Sequence, residues 1–165
     1  MIIEINGICQ HCAESVTVLT IDGEPIDDCG SCGKPAFTFK PVTGMVYIVK
    51  NPIQKGVKIG QTSKNIEQRL KALNSTGVAG DFHVVAVFPS DKPATDEKRV
   101  HERLKRHNFA KEHFDLTPID AVLGAYRALN KRRPVFYDHS LIETFDLRLE
   151  HDRVTMKLRL SGQSA

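Results

Sequence analysis

Four cysteines, all before residue 33, stand as two pairs of identical spacing, Cys9-Gln10-His11-Cys12 and Cys29-Gly30-Ser31-Cys32. Each Cys-x-x-Cys turn carries two thiols to the tip of one loop. A strand-turn-strand segment between two such loops lets four thiolates converge tetrahedrally on one Zn²⁺. Clustered thiolates require a compensating cation. The metal also supplies folding free energy that a segment of about 40 residues cannot draw from its own small core. Two disulfides or a redox pair are the competing readings. Met1-Ile2-Ile3-Glu4-Ile5-Asn6 shows no basic or long apolar stretch of the secretory kind, which speaks against disulfides. A redox pair would occur once, opening a helix in a βαβ context. His11 sits between two ligands, but four sulfurs already complete a shell and leave it a bystander.

This first segment, residues 1–42, resembles a zinc ribbon. Val16, Val18 and Ile21 with Thr17 and Thr20 predict a strand, Asp22-Gly23 a hairpin turn, and Ala36 to Lys40 a further short strand. Pro41-Val42-Thr43-Gly44 marks the boundary to a second module. A closed four-sulfur shell performs no chemistry, so a ribbon of this kind either stabilises the chain or presents a surface to a partner.

With 165 residues the chain can bury one ordinary core beside a metal-stapled module, which excludes a large multidomain enzyme. Hydrophobic residues make up 41% and charged residues 26%, and no apolar run approaches the roughly 20 residues of a membrane span. A soluble, cytoplasmic protein without a membrane partner is expected. The net charge of +3 is too small to argue nucleic-acid binding by itself. Its distribution says more: Lys98, Arg99, Arg103, Lys105, Arg106 and Lys111 cluster in one segment, and Arg127, Lys131, Arg132 and Arg133 in another. The plain alternative for such clusters is a solvated helix face.

From Met45 the pattern is strand, turn, strand: Met45 to Val49, a polar loop, then Val57 to Gly60. Ser63 can cap a helix carrying Ile66, Leu70 and Leu73 at i, i+4 and i+7, ended by Asn74-Ser75-Thr76-Gly77. Phe82 to Phe88 is short and β-branched, as a buried third strand would be. Asp96 or Thr95 can start a helix that lines Glu97, His101, Leu104 and Asn108 along one side, anchored by Val100 and Leu104. Thr117-Pro118 starts another, with Val122, Ala125, Tyr126 and Leu129 as its stripe. Beyond Pro134, Phe145 to Leu149 and Val154 to Leu160 alternate strictly, which predicts a C-terminal β-hairpin, and Ser161 to Ala165 reads as a frayed end.

Val46-Tyr47-Ile48, then Lys58-Ile59-Gly60-Gln61-Thr62, Arg69-Leu70 with Leu73-Asn74, Glu97-x-x-x-His101, and Lys111-Glu112-His113-Phe114 together resemble a GIY-YIG endonuclease domain. The resemblance covers about residues 44 to 130, and is to the branch of tailed phages and prophages, known in fungi as a meiotically up-regulated gene family. It implies metal-assisted hydrolysis of a phosphodiester in DNA. Tyr47 matches the first-motif tyrosine that helps activate the attacking water, and Arg69 the helix arginine that faces phosphate charge. Glu97 matches the glutamate that holds one divalent ion, Mg²⁺ or Mn²⁺. Lys58 stands where the second-motif tyrosine would, as is common in this branch. His101, one turn after Glu97, is expected nearby as a partner or proton carrier, and Glu112 as a further ligand or an ion-pair partner. Asn108 loosely matches an asparagine near the site.

Elementary chemistry agrees with that carry-over. The reaction needs a poised nucleophile, a cation on the non-bridging oxygens and a metal for the leaving oxygen. A guanidinium fork suits phosphate. A phenol is a weak base at neutral pH, so Tyr47 needs a neighbouring positive charge, for which Lys58 is a candidate. Singly, Tyr47 reads as a packed aromatic, Arg69 as a surface helix residue and Glu97 as an acid favoured by the helix dipole. Only the joint pattern reverses those readings.

The expected fold is α+β: a zinc ribbon (1–42), a small, mainly antiparallel three-stranded sheet flanked by helices (43–133), and a C-terminal extension (134–165). The expected activity is that of a DNA endonuclease, with Lys98, Arg103, Lys105 and Arg106 on backbone phosphates. A non-cleaving DNA-binding protein of the same fold and a zinc-stabilised interaction adaptor are the alternatives.

Overall fold

The computed structural model describes residues 1–161 except 26, 76 and 78, so residues 162–165 of the end expected to fray and Thr76 of the expected helix terminator lie outside the described residues. The backbone divides into two compact units, Met1–Pro41 and Val42–Ala165.

In the first unit, β1 (Ile2–Ile8), β2 (Ser15–Ile21) and β3 (Glu24–Pro25) form an antiparallel sheet in that order. Ile5 lies opposite Val18 and Ile3 opposite Thr20, which places these side chains on one face, where Val18 and Thr20 are buried. Asp22 (φ 52°) and Gly23 (φ 91°) join β2 to β3 with two positive φ angles, as a type I′ hairpin turn requires. The strand expected over Ala36 to Lys40 is absent. Ala36 is instead buried beside the cysteines and its carbonyl accepts the Gln10 N–H, so the segment is tied to a loop rather than to a ladder.

The second unit is α+β with antiparallel pairing throughout. Its sheet runs β7 (Asn108–Ala110), β8 (His113–Phe114), β5 (Val57–Thr62), β4 (Gly44–Lys50), β6 (His83–Ser90), β9 (Val135–Phe136). The expected three-stranded sheet is thus the centre of a six-stranded one. The added strands are two or three residues long, too short to leave an alternating signal.

Period-two alternation gives β4 two buried faces. Val46 and Ile48 join Ile59, Ala86 and Phe88 in one core, while Tyr47 and Val49 join Val87 in the other. Helix α1 (Ile66–Asn74) covers the Tyr47 face with Ile66 and Leu73, and it is capped by Asn65, whose Oδ1 accepts the Glu67 N–H at 2.8 Å, rather than by Ser63. Helix α2 (Pro93–Leu104) and helix α3 (Pro118–Ala128) cover the opposite face. Gly124 brings them close, since a Cβ there would lie 2.6 Å from Leu104. Thr117 caps α3 as expected.

Helix α2 starts earlier than expected, with Pro93 in its first turn, because Asp96 is used sideways. Its buried carboxylate accepts Ser90 Oγ–H and an Arg132 N–H, both at 2.7 Å, and so pins the start of α2 to β6 and to the chain after α3.

The C-terminal β-hairpin is also overturned: Leu141–Ser161 is one helix, α4. The alternating letters conceal a second spacing, Leu141, Phe145 and Leu149 at i, i+4 and i+8. That stripe packs on the core, with Phe145 fully buried against the edges of Tyr126 and Phe136. A strand would have buried Leu147, which is 64% exposed. Ion pairs Arg127–Asp152 and Arg148–Asp120 run between α3 and α4. Accordingly, Phe145→Ala should lower unfolding free energy by about 3–5 kcal/mol and Leu147→Ser by less than about 0.5. Equal losses in denaturant titrations would contradict the helical packing.

Candidate functional site

The two cysteine loops are built alike. Cys9 N–H donates to Glu14 O and Cys29 N–H to Lys34 O, both at 2.9 Å, while Ala13 N–H returns to Cys9 O and Gly33 N–H to Cys29 O. Ala13 (φ 62°) and Gly33 (φ 64°) sit left-handed at equivalent places, so each loop reverses just after its second cysteine. All four sulfurs lie within 4.8 Å of one another, with Cys9 to Cys32 at 3.8 Å and Cys12 to Cys29 at 3.7 Å. A disulfide would need about 2.05 Å. A tetrahedron of metal–sulfur bonds near 2.3 Å has edges of about 3.8 Å, so the four sulfurs fit a zinc ion. His11 contributes only its backbone N–H, 3.4 Å from Cys9 Sγ. The backbone N–H groups of Cys32 and Ser31 hold the Cys29 thiol down to about 6, in favour of the ligating thiolate.

In the second unit, Tyr47 is fully buried and lies opposite Gly60 on β5. A Cβ at Gly60 would fall 2.4 Å from the phenol oxygen and 2.6 Å from Cζ, so the ring occupies the space that a side chain there would take. Arg69, from α1, donates Nε–H to the Tyr47 hydroxyl at 3.0 Å, with its guanidinium carbon 5.6 Å from the ring centroid. Lys58, two residues before Gly60 on the same face of β5, pairs with the carboxylate of Glu112 in the turn between β7 and β8. From α2, half-buried Glu97 is joined one turn on by His101, whose Nε2–H donates to Ile59 O at 3.0 Å and whose ring lies 5.0 Å from that of Phe114. Asn108 serves the Glu112 turn, its amide donating to the carbonyls of Lys111 and His113.

These groups act on one another. Burial raises the Tyr47 pKa; Arg69 opposes the rise, and the charges of Glu112 and Glu97 add to it. The expected activation by Lys58 is not what the geometry provides. The cation against the phenol is Arg69, Lys58 is engaged by Glu112, and the phenol stays protonated at neutral pH. Burial also raises Glu97, helped by Glu112 and opposed by His101, Lys58 and Arg69. For Glu112, burial would raise the pKa, but the hydrogen-bonded Lys58 ammonium, with His101 and Arg69, brings it below the usual carboxylate range. Glu97 is therefore a carboxylate whose charge is disfavoured where it stands, and a divalent cation would relieve that cost.

A polar groove of about 620 Å³, lined by Gln61, Thr62, Ser63, Lys64, Gln68 and Arg69 among others, adjoins the arginine. Exposed Lys98 and Arg103 line a second groove between α2 and α3, which Arg127 also borders. Arg106 is exposed, and Lys105 pairs with Glu102. The second basic run is a structural element instead: Arg127 pairs with Asp152, Arg132 with Asp96, and Arg133 with Asp146. Sequence reasoning left Glu112 undecided, because the turn that brings it to Lys58 is made by two strands too short to foresee.

The T5orf172 domain family matches residues 44–130, just over half of the chain. The chain belongs to that family. The T5orf172 domain is GIY-YIG-like and phage-related, in keeping with nuclease-like or DNA-binding proteins. The chain is also 29% identical over 114 residues, 66% of its length, to a protein named translation initiation factor IF-2 from Cytophaga hutchinsonii. It spans about a tenth of that relative's length. No solved structure matches it. Among the described residues of this T5orf172 protein, no helix is long and apolar enough to cross a membrane.

Because the Tyr47 ring fills the place of a Gly60 side chain, Gly60→Ala should cost about 1–3 kcal/mol and displace the phenol from Arg69. Thermal melts measure the first effect, and the tyrosine ring signals in NMR spectra the second. An unchanged melt and spectrum would contradict the packing.

Proposed function

We propose that the second unit is a metal-dependent DNA endonuclease of the GIY-YIG type. What supports this reading is the pairing of Tyr47 with Arg69 and of Lys58 with Glu112 beside β5, with Glu97 near enough to feel the charges of Glu112, Lys58 and Arg69. Membership of the T5orf172 family supports it.

In this reading the backbone of DNA enters by the groove beside Arg69, whose Nη groups face the non-bridging oxygens while Nε stays on Tyr47. Tyr47 accepts that N–H and keeps its own O–H for the nucleophile side of the phosphate. Lys58 offers a fixed positive charge there. Water adds to phosphorus as the ester P–O bond breaks, the water giving up a proton to solvent and the departing oxygen taking one up. Glu97 would hold the divalent ion, Mg²⁺ or Mn²⁺, which when bound supplies charge stabilisation at the leaving oxygen. His101, through Ile59 O, holds α2 against β5 and so sets the place of Glu97. Lys98, Arg103 and Arg106 would bind flanking phosphates and make affinity fall with salt. We further propose that Cys9, Cys12, Cys29 and Cys32 bind one structural Zn²⁺, and that the protein acts in the cytoplasm on DNA associated with phage or prophage.

With supercoiled plasmid and Mg²⁺ or Mn²⁺, the protein should nick DNA. Arg69→Ala and Glu97→Ala should each lower the rate at least about 10²-fold, with retained binding in gel shifts. DNA retarded but never cut would favour the non-cleaving binder, and no retention at low salt the adaptor.

Elemental analysis of reduced, freshly purified protein should find one zinc per chain, lost in Cys29→Ser. Occupancy should fall as pH is lowered, because protons then compete with the metal for the four sulfurs. Metal-free folded protein at neutral pH would refute the site.

A further inference from the structure

A carboxylate beside a DNA phosphate weakens binding, so the pairing of Glu112 with Lys58 calls for an explanation. Its one direct side-chain partner among the described residues is the Lys58 ammonium, which is the more enclosed of the two, 13% exposed against 40% for Glu112. A lysine ammonium has three N–H donors on a flexible four-carbon stem. Glu112 takes one donor, leaving two, and removes the freedom of the stem.

The turn that carries Glu112 is itself fixed from several directions. Glu112 O accepts Ile59 N–H at 2.9 Å, next along β5 from Lys58, and the carbonyl of that same Ile59 receives His101. Asn108 clamps the turn through Lys111 O at 2.6 Å and His113 O at 3.2 Å. Lys111 holds φ at 44°, a left-handed conformation that costs a non-glycine residue about 1–2 kcal/mol. Lys111-Glu112 is the two-residue turn between paired Ala110 and His113, and a positive φ at its first position is what such a hairpin turn requires.

We propose that Glu112 is a positioning residue of the nuclease centre: it holds the Lys58 ammonium in one orientation so that its two remaining N–H groups meet the phosphate. The inference rests on the endonuclease reading above. It treats Lys58 as a fixed cation, and it assigns Asn108 a supporting part as the clamp of the turn.

The test uses the full chain, single-turnover nicking of plasmid, and DNA affinity measured with a labelled duplex in EDTA. Glu112→Ala should slow nicking about 10²-fold, the loss expected when a reacting group shifts by about 1 Å. Its DNA affinity should be unchanged or tighter, since a negative charge has been removed. Glu112→Gln keeps an acceptor oxygen and should recover most of the rate. Lys58→Ala/Glu112→Ala should be no slower than Lys58→Ala alone. A merely structural role predicts instead that rate and affinity fall together with the thermal melt. Wild-type nicking with an undiminished Glu112→Ala rate, or losses that multiply in the double variant, would overturn the inference. A wild type that binds DNA and never nicks it would bring down the endonuclease reading first, and this inference with it.

Discussion

A methyl group at position 60 would lie 2.4 Å from the hydroxyl of Tyr47, and the rest of the second unit's sheet edge depends on its absence. Without it the Tyr47 ring packs over Gly60 in the core beneath α1, and Arg69 meets its oxygen there. The hydrogen bond then fixes a long side chain that α1 alone would leave to solvent. A side chain at position 60 would push the ring out of the core or across the rim. Burial of the ring has a chemical consequence too. It raises the pKa of the phenol, which keeps its proton at neutral pH and accepts the Arg69 N–H as a neutral group.

Charge at that rim is arranged by pairing. Lys58 is matched by Glu112, and the carboxylate of Glu97 feels His101, Lys58 and Arg69 against Glu112. The same principle sorts the basic surface. Arg127, Arg132 and Arg133 are spent on acids that bind α4, α2 and the strands into one core, whereas Lys98, Arg103 and Arg106 have no carboxylate in ion-pairing distance among the described residues. Two clusters that look alike as letters therefore do different work: one holds the fold, and the other leaves positive charge facing outward.

Much of the core was legible because burial writes its own period. Met45 to Val49, Val57 to Gly60 and the stripe Ile66, Leu70, Leu73 state strand, strand and helix in hydrophobic spacing, and the structure has each of them. Arg69 and Tyr47 could be paired in advance through the family resemblance, since spacing alone gives them no reason to meet. Glu112 could not be resolved, for its position depends on a turn whose strands have two and three residues. The C-terminal segment misled for a different reason. Its letters satisfy both a period of two and a spacing of four, and only the surface offered by Tyr126 and Phe136, a tertiary fact, selects the helix that buries Phe145 and leaves Leu147 outside.

The first unit obeys a harsher arithmetic. Its buried hydrophobic core consists of Val18, Ala36 and two of the cysteines themselves, with Ile5, Val16 and Phe37 only partly covered. Such a core cannot offset the conformational entropy of some 40 ordered residues, each costing on the order of 1–2 kcal/mol. The left-handed backbone at Ala13 adds to that cost, since an alanine lacks the freedom of the glycine at the matching place in the second loop. Two loops of the same hydrogen-bond design, bringing four sulfurs to tetrahedral spacing, are what remain to hold the unit together. A cation bridging the sulfurs would let them do so, because four thiolates at this separation repel one another and four thiols give little cohesion.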